Sequence, residues 1–549
     1  MSNTNKLFFL LIFLLALAVN FIGINTDFFS DDPGLYASIS KTMLYRHDVL
    51  QLFSYGEDWL DKPHFPFWAV YVSFKVFGIS PWAYKLPALL CFLLSLVYTY
   101  LFARKFYTAE IAATAVLILM TALHLILSNT DVRAEPYLTA FIIGSIYHIS
   151  RLNERFAITD LFLAALLTAF AIMTKGIFVI VPIFGSLLGQ LIFEKHFTDI
   201  FKGKWWLLYL LTFIFCLPEI YALYIQFDLH PEKTVFGKHN VSGIYWFLWD
   251  SQFGRFANNG PIQHTSGDVF FYLHTLLWAF LPWCLLFYYS VYRSIKSIWQ
   301  KTKLTEYYSL AGGLLLLGLF SLSRFQLPFY TNIIFPLFAV ISAPYCYKQL
   351  SRAGENLRKI SLLVFAILLP LVIIGIHILL KPATSIWFVV DCVLFGGIAI
   401  TVAIKVKQTA YRLFLFTCCA ALFANFYLIT TVFKTVTAYN GQVSAAKYLN
   451  QHPFNKYPVY SLRPSNNIFQ FYCNTPVAYL PMDQFKDFKP AKRSVFFISE
   501  TTKGILEKEG ARFTVIKAFT DYSQENIVPA FINKATRPQV LENVYLIYK

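Results

Sequence analysis

The chain has 549 residues, of which 57% are hydrophobic and only 14% are charged, whereas soluble domains carry about 25% charged residues. This composition excludes an ordinary soluble protein, and the eight cysteines show neither metal-type nor disulfide-type spacing. The net charge of +16 falls in short loops between apolar runs. That distribution predicts membrane orientation and contact with lipid headgroups, and it argues against nucleic-acid binding.

The apolar runs have the length of membrane-spanning helices, which need roughly 20 residues each. The sequence therefore predicts an α-helical polytopic membrane protein with about 13 transmembrane helices. The first run follows Lys6 and has no small-residue cleavage site before Asp27, so we expect an anchor and not a removed signal peptide. The runs lie near 7–25, 84–103, 109–128, 134–151, 158–174, 176–194, 205–226, 268–292, 307–322, 327–347, 359–380, 385–404 and 411–433.

Basic residues collect in alternate loops, such as those at Arg104–Lys105, Arg151–Arg155 and Lys405–Arg412. The positive-inside rule places these loops in the cytoplasm of a bacterial inner-membrane protein. The opposite, periplasmic face then receives four segments: a loop at about 26–83, a short loop around Asp131, a loop at about 227–267, and everything after about 434.

The first outer loop contains two predicted helices that lie in the membrane interface. Residues 35–44 have helical apolar spacing, and Asp32-Pro33 suits an N-cap followed by proline at the first helical position. Residues 65–77 are rich in aromatic side chains, as interfacial helices are. Two such helices would frame a cavity at the outer leaflet.

Residues 436–549 differ in character from the predicted transmembrane domain at 1–435. Charges return, and short β-rich runs occur at 459–462, 494–498, 513–516 and 544–548. Helical candidates lie near 442–451 and 501–509. This pattern predicts a small α/β domain on the periplasmic side, and we find no motif for chemistry within it.

Carboxylates and cations accumulate in the outer loops, next to the aromatic interfacial helices. The cations would suit an anionic group on a lipid, and a carboxylate would suit a general base or a metal ligand. The polar clusters are Asp31-Asp32, Asp61-Lys62-Pro63-His64, Asp131-Val132-Arg133-Ala134-Glu135, Thr174-Lys175-Gly176, Asp250 to Arg255, and Ser323-Arg324.

These motifs resemble those of the ArnT-like and protein O-mannosyltransferase-like membrane glycosyltransferases, which share the GT-C fold. Asp31-Asp32-Pro33-Gly34-Leu35-Tyr36 is similar to the family's Asp-Glu-x-x-Tyr motif, and Asp61-Lys62-Pro63 to its Glu-Lys-Pro motif. The stretch 249–257 is similar to its Trp-Glu-x-His-x-x-Arg-Phe segment. Alignment on Tyr36 needs no insertion and favours Asp32 as the family acid, whereas alignment on the acidic pair selects Asp31.

The resemblance implies an inverting transferase that uses a polyprenyl-phosphate sugar as donor, with no nucleotide or redox cofactor. Asp32 or Asp31 would then be the catalytic carboxylate, and Glu135 a second acidic position. Asp61 would lie next to the substrate and is a tentative metal ligand, with Asp131 and Tyr36 nearby. The resemblance further implies contacts to the donor phosphate from Lys62, Arg255 and Arg324.

Several alternatives stay open at the level of sequence. Gln252 stands where metal-binding relatives have histidine, and amide side chains are poor ligands for transition metals. A divalent metal would then depend on His64, His239 or His264. The acceptor could be a lipid A-like lipid, a glycan or a protein. Competing functions are a transporter or flippase for a lipid-linked substrate and a non-catalytic envelope-assembly protein.

Overall fold

The computed structural model describes residues 3–263, 267–347, 350–489, 492–524 and 526–549. Up to residue 440, the elements in the described part of the chain are helices apart from one hairpin of the strands Phe53–Ser54 and Glu57–Asp58. The principal helices of this part are Asn3–Phe21, Asp31–Arg46, Phe65–Phe77, Pro81–Phe106, Ala109–Thr121, Leu123–Thr130, Glu135–Glu154, Ile158–Lys175, Ile180–Phe193, Gly203–Leu223, Ser251–Ala257, Phe271–Ala279, Cys284–Trp299, Tyr308–Leu322, Phe335–Ser342, Arg352–Leu380, Ile386–Lys405 and Thr409–Tyr427.

Among the described residues, eight helical segments are long and apolar enough to cross a membrane. A ninth results if the pair Ala109–Thr121 and Leu123–Thr130, bent by 58°, is one span. Each of the 13 predicted runs coincides with a helix or a broken helix. Of the four runs outside these nine segments, three are shorter or interrupted, and the fourth is the 20-residue helix Glu135–Glu154. The prediction of a polytopic α-helical membrane protein is confirmed.

The helix Glu135–Glu154 forms the centre of the bundle. It is buried along nearly its whole length, although it carries small polar residues such as Thr139 and Ser145. These side chains bond to the carbonyl of Glu135 and to the Thr168 hydroxyl, which is how polar groups are accommodated in a bilayer interior. Glu135 is the first residue of this helix, so the central helix brings a carboxylate to one end of the bundle.

Ser30, and not Asp32, occupies the N-cap position of the helix Asp31–Arg46, which corrects the sequence expectation. The Asp131 carboxylate instead accepts the backbone N–H groups of Phe29 and Ser30, at 3.3 and 3.4 Å. An acid near a helix N-terminus also suits the helix dipole. Because Asp131, from another chain segment, accepts the hydrogen bonds at the start of this helix, the Asp32 carboxylate can contact other groups.

The C-terminal region contains a five-stranded sheet. Its strand order is Val477–Tyr479, Val459–Ser461, Val495–Ser499, Glu542–Tyr548 and Thr514–Asp521. The first three strands are parallel, and the last two pair antiparallel. Helices occur at Gly441–Gln451, Asn467–Tyr472, Glu500–Lys508 and Pro529–Ile532. All four predicted strands and both predicted helices are present, whereas the strand Val477–Tyr479 and the helix Asn467–Tyr472 were not predicted.

The C-terminal region packs directly on the helix Asp31–Arg46. Lys41 is buried, donates to the carbonyls of Phe471 and Cys473, and has its pKa lowered to about 8 by burial. A Cβ atom at Gly34 would lie 2.8 Å from the backbone nitrogen of Ile468, so only glycine permits this close approach. The first outer loop and the C-terminal region therefore form one packed unit.

Asp521 makes the stability of the C-terminal region depend on pH. It accepts the backbone N–H of Gly441 at 2.7 Å, and burial raises its pKa to about 6, whereas an unfolded aspartate titrates near 3.9. At pH 3, Asp521 is protonated in both the folded and the unfolded state. Above pH 6, the folded state holds a buried Asp521 carboxylate, which lowers the free energy of unfolding by about 2–3 kcal/mol. Stability of this region is therefore lost as the pH rises from 4 to 6.

Asp521→Asn is expected to slow amide hydrogen exchange in the helix Gly441–Gln451 by roughly tenfold or more at pH 7.5, because the amide keeps the acceptor oxygen without the charge. The difference should disappear near pH 4. Asp483→Asn removes an exposed carboxylate of the same region and should change neither rate. Equal exchange rates at pH 7.5 in wild type and Asp521→Asn would show that burial of the Asp521 carboxylate does not destabilise the C-terminal region.

Candidate active site

Charged side chains from five chain segments converge at one end of the bundle. Asp32 lies at the start of its helix, Glu135 starts the central helix, and Lys175 ends the helix Ile158–Lys175. A loop before Phe65–Phe77 and the helix Ser251–Ala257 complete the set. We define the charged cluster as four cations, Lys62, Arg133, Lys175 and Arg255, and three carboxylates, Asp32, Asp61 and Glu135.

Asp61 lies between two cations. Its carboxylate pairs with the Lys62 ammonium and with the Arg255 guanidinium, and all three side chains are mostly buried. Burial alone would raise the pKa of Asp61, but Lys62 and Arg255 together hold it below its usual value. Burial and the neighbouring Arg255 lower the pKa of Lys62. Asp61 thus holds two cations side by side, with a net charge of +1 for the three residues.

A buried histidine fixes the loop that carries Asp61 and Lys62. His64 is fully buried, and its Nδ1 lies 3.0 Å from the Glu219 carboxylate, which also accepts the His64 backbone N–H at 2.9 Å. The His64 Nε2 lies 3.1 Å from the carbonyl oxygen of Leu50. Both ring nitrogens have protein partners, so His64 positions the loop.

Asp32 pairs with Arg133 but remains accessible. The distance between Arg133 Nη1 and Asp32 Oδ2 is 3.1 Å, and the Asp32 side chain is 50% exposed. Arg133 also donates to the Ser30 hydroxyl at 2.9 Å and lies 4.4 Å from the centre of the Phe329 ring. Arg133 is thereby held in place, and it presents Asp32 as a solvent-accessible carboxylate next to the charged cluster.

Glu135 and Lys175 form a buried ion pair behind this face. Their side chains are 1% and 8% exposed, and one Glu135 oxygen, Oε2, has no hydrogen-bond partner among the described residues. The Lys175 ammonium lies 4.3 Å from the centre of the Tyr330 ring, a distance typical of a cation–π contact. Glu135 therefore positions Lys175, and Lys175 faces the inside of the site.

Tyr36 lies beside the cluster, in edge-to-face contact with Phe67 at 5.2 Å. Burial raises the pKa of its hydroxyl well above the usual value, and the charges of Asp32 and Asp61 raise it further. Tyr36 therefore stays protonated and can act as a hydrogen-bond donor near Asp32.

Three other residues singled out from the sequence have different surroundings. Asp31 faces away from Asp32 and accepts the backbone N–H of Asn467 at 3.1 Å as well as its side-chain amide. Asp131 binds the segment Phe29–Ser30, as described above. Arg324 has an exposed side chain, and its backbone N–H donates to Phe256 at 2.9 Å. The structure thus brings neither Asp31 nor Arg324 into the charged cluster. Asp131 adjoins the cluster, because the Ser30 hydroxyl that donates to Asp131 also accepts from Arg133.

The donor set at Asp61 does not fit a divalent metal. Among the described residues there is no group of three histidine, cysteine or acidic side chains that could hold one, and Asp61 already faces two cations. His239 contacts the carbonyl of Glu232 in an exposed loop, and His264 lies outside the described residues. Lys62 and Arg255 make this a site for an anion, so we derive no step through a metal.

An apolar cavity of about 300 Å³ opens beside the cluster. Lys175, Arg255 and Tyr330 belong to its lining, together with Ser251 and Gln252. A smaller cavity lined by Asp61 and Lys62 shares several of these residues. The apolar lining includes Ile177, Phe178, Ile180, Val181, Phe253, Phe256, Leu319, Phe320 and Phe325. The cavity therefore combines an apolar wall with a basic end.

Sequence reasoning missed three parts of this arrangement. Glu219 lies within a membrane span, Tyr330 lies within a short helical turn, and the pairing of Arg133 with Asp32 joins two distant chain segments. Only the unusual presence of an acid in the apolar run 205–226 gave a signal for Glu219, since charges within spans are costly. The partners of Tyr330 and Arg133 depend on tertiary packing.

The chain is similar to known proteins in part of its sequence and in its fold. A family model described as dolichyl-phosphate-mannose-protein mannosyltransferase matches residues 61–221. The crystal structure of ArnT from Cupriavidus metallidurans bound to undecaprenyl phosphate superposes with a TM-score of 0.77 at 17% identity, over 98% of this chain and 97% of that one. The chain therefore has the GT-C fold of this ArnT structure. The resemblance inferred from the motifs is confirmed.

Two sequence relatives are similar to the chain over part of its length. The undecaprenyl phosphate-alpha-4-amino-4-deoxy-L-arabinose arabinosyl transferase of Pseudomonas aeruginosa (strain UCBPP-PA14) is 25% identical over 308 residues, which are 54% of this chain and 52% of that protein. An uncharacterized protein of Aquifex aeolicus (strain VF5) is 25% identical over 359 residues, or 64% and 67% of the two chains. The alignment thus spans about half the length of the Pseudomonas transferase.

Proposed function

We propose that this ArnT-like chain is an inverting glycosyltransferase that moves a sugar from a polyprenyl-phosphate donor to an acceptor at the outer face of the bacterial inner membrane. The observation that carries the proposal is the apolar cavity with Lys175 and Arg255 at its basic end. A polyprenyl phosphate has the matching shape, an apolar tail with an anionic head. Since one relative is named for a polyprenyl-phosphate pentose, that donor is the first to test, with a lipid as acceptor before a glycan or a protein.

The cations would stabilise the leaving group. When the bond between the anomeric carbon and the phosphate oxygen breaks, its electron pair leaves with the phosphate. Lys62, Lys175 and Arg255 surround the position where this negative charge grows, and preorganised charges in a water-poor site stabilise a transition state strongly. Asp61 and Glu135 keep these cations in place before the donor binds.

Asp32 would act as the general base for the acceptor. An acceptor hydroxyl attacks the anomeric carbon on the side opposite the phosphate, which inverts the configuration, and its proton passes to the Asp32 carboxylate. Asp32 suits this role because it is half-exposed and adjacent to the cations. A phosphate acceptor needs alignment more than deprotonation, so the effect of Asp32 on the rate depends on the acceptor.

The positions of the basic loops support a periplasmic location for the charged cluster and the C-terminal region. The helix Ile386–Lys405 begins beneath the C-terminal region and ends at Lys405 and Lys407 on the opposite face. By the positive-inside rule, that opposite face is cytoplasmic.

The residues of the charged cluster lie at the ends of helices and not in their middles. This position favours an enzyme over a transporter. Transporters of lipid-linked substrates usually hold them near the midplane of the bilayer. Glu135 and Lys175 are terminal residues of their helices. Translocation of the lipid without sugar transfer would support the transporter instead.

The test is transfer of labelled sugar from polyprenyl-phosphate donors in membranes that contain the chain. Arg255→Ala is expected to lower transfer by about 100-fold or more, because it removes a charge from the leaving-group site. Arg324→Ala removes an exposed arginine outside the cluster and is the matched control, with less than about threefold loss. Equal losses in both variants, or no transfer by wild type from any donor, would contradict the proposal.

A further inference from the structure

A separate cavity, of about 420 Å³, lies where the C-terminal region meets the membrane bundle. Its walls come from the end of the helix Arg352–Leu380, the start of Ile386–Lys405, the segment after Leu428–Phe433, and the C-terminal segment 529–540. None of the residues that form the charged cluster belongs to its lining. We call it the junction pocket.

Four basic side chains converge on the junction pocket: Lys381, Lys434, Lys534 and Arg537. The three lysines are exposed, and no described acid pairs with them. No acidic side chain occurs among the described residues that line the pocket. These cations also lie on the face opposite the basic loops, where the positive-inside rule leads us to expect few. Because these positive charges repel one another, an anion that binds among them would be strongly attracted.

Arg537 is held in a fixed orientation toward this space. It is 6% exposed, its Nε donates to Phe531 O at 2.9 Å, and one Nη donates to Leu380 O at 3.1 Å. Its other Nη atom has no partner among the described residues. The guanidinium also lies 4.9 Å from the centre of the Phe531 ring. A buried arginine with donors to spare is well suited to bind a phosphate.

The pocket also has the aromatic side chains of a membrane interface. Trp387 and Tyr439 line it, and such rings lie at the headgroup level of a bilayer. Below the pocket, the helices Arg352–Leu380 and Ile386–Lys405 expose mostly apolar side chains. A ligand with a phosphate in the pocket could therefore place acyl chains along these helices.

We propose that the junction pocket binds the phosphate headgroup of an anionic membrane lipid, which bridges the bundle and the C-terminal region. Lys381 and Lys434 belong to the bundle, whereas Lys534 and Arg537 belong to the C-terminal segment, so one phosphate contacts both parts. The proposal is independent of the sugar-transfer reaction. The shared chemistry is a phosphate ester, and the occupant is a lipid and not free phosphate.

The test is lipid retention by the purified full-length chain, measured by native mass spectrometry with phosphatidylglycerol and phosphatidylcholine. Wild type is expected to retain phosphatidylglycerol, and Lys381→Gln/Lys434→Gln to lose about tenfold or more in affinity for it. Lys405→Gln/Lys407→Gln removes the same charge from the opposite face and should change the affinity less than about threefold. Phosphatidylcholine should bind wild type and the two double variants equally weakly.

Hydrogen exchange in 529–540 provides a second readout. Phosphatidylglycerol should slow it in wild type and in Lys405→Gln/Lys407→Gln, and leave it unchanged in Lys381→Gln/Lys434→Gln. Equal retention by the two double variants would overturn the proposal. The same slowing by inorganic phosphate alone would overturn the assignment to a lipid.

Discussion

Asp32→Asn is expected to lower the rate of sugar transfer to a hydroxyl acceptor by about 100- to 10,000-fold, the usual contribution of a general base. The amide keeps the size of the side chain and its contact with Arg133, so the fold and donor binding should be preserved. The measurement is the single-turnover rate with saturating donor, since it separates the chemical step from binding.

Asp31→Asn is the matched control for this prediction. It makes the same chemical change one residue away, at a carboxylate that contacts Asn467 of the C-terminal region. We expect transfer within about fivefold of wild type, the effect of weakening one hydrogen bond. Full activity of Asp32→Asn would exclude Asp32 as the base, and loss in Asp31→Asn alone would reverse the choice between the two acids.

The second large effect is expected at the buried pair of Glu135 and Lys175. Lys175→Met should destabilise the bundle by about 3–5 kcal/mol, because it leaves the Glu135 carboxylate buried without its partner. Glu135→Gln should have a cost of similar size through the unpaired ammonium. Denaturant unfolding in detergent, followed by tryptophan fluorescence, would give these differences.

The double variant Glu135→Gln/Lys175→Met separates stability from function. Removal of both charges should restore most of the stability, since replacing a whole buried pair is often nearly neutral. It should not restore donor binding, because the basic end of the apolar cavity has lost Lys175. A double variant as unstable as Lys175→Met would contradict the pairing, and wild-type donor affinity would exclude Lys175 from the phosphate site.

The sequence was most informative where a pattern is local. Apolar runs predicted the positions of the helices, and short β-rich runs predicted four of the five strands in the C-terminal sheet. The strand Val477–Tyr479 was missed because Ala478, a weak strand former, interrupts it and Pro476 directly precedes it. The N-cap at Asp32 was wrong because Asp131, about a hundred residues away, stabilises the helix start instead.

The site was predictable in its residue types and less so in its pairings. The motifs selected Asp32, Lys62 and Arg255, all of which the structure brings into one cluster. They also selected Asp31 and Arg324, which contact other segments, since a linear motif does not indicate the direction of a side chain. The pairing of Asp32 with Arg133 and of Glu135 with Lys175 follows from helix packing.

The contacts of the helix Asp31–Arg46 have a consequence for how the chain can be divided. Asp31 and Lys41 bond to the segment 467–473, and Tyr55, from the turn that follows, is buried in the core of the C-terminal region. A cut near residue 435 would therefore not release two self-sufficient modules, and a graft of this region from a relative would need a matching surface at these three side chains. Because Asp32 adjoins Asp31, any tilt of the C-terminal region would be transmitted within one peptide unit to the Asp32 end of the charged cluster.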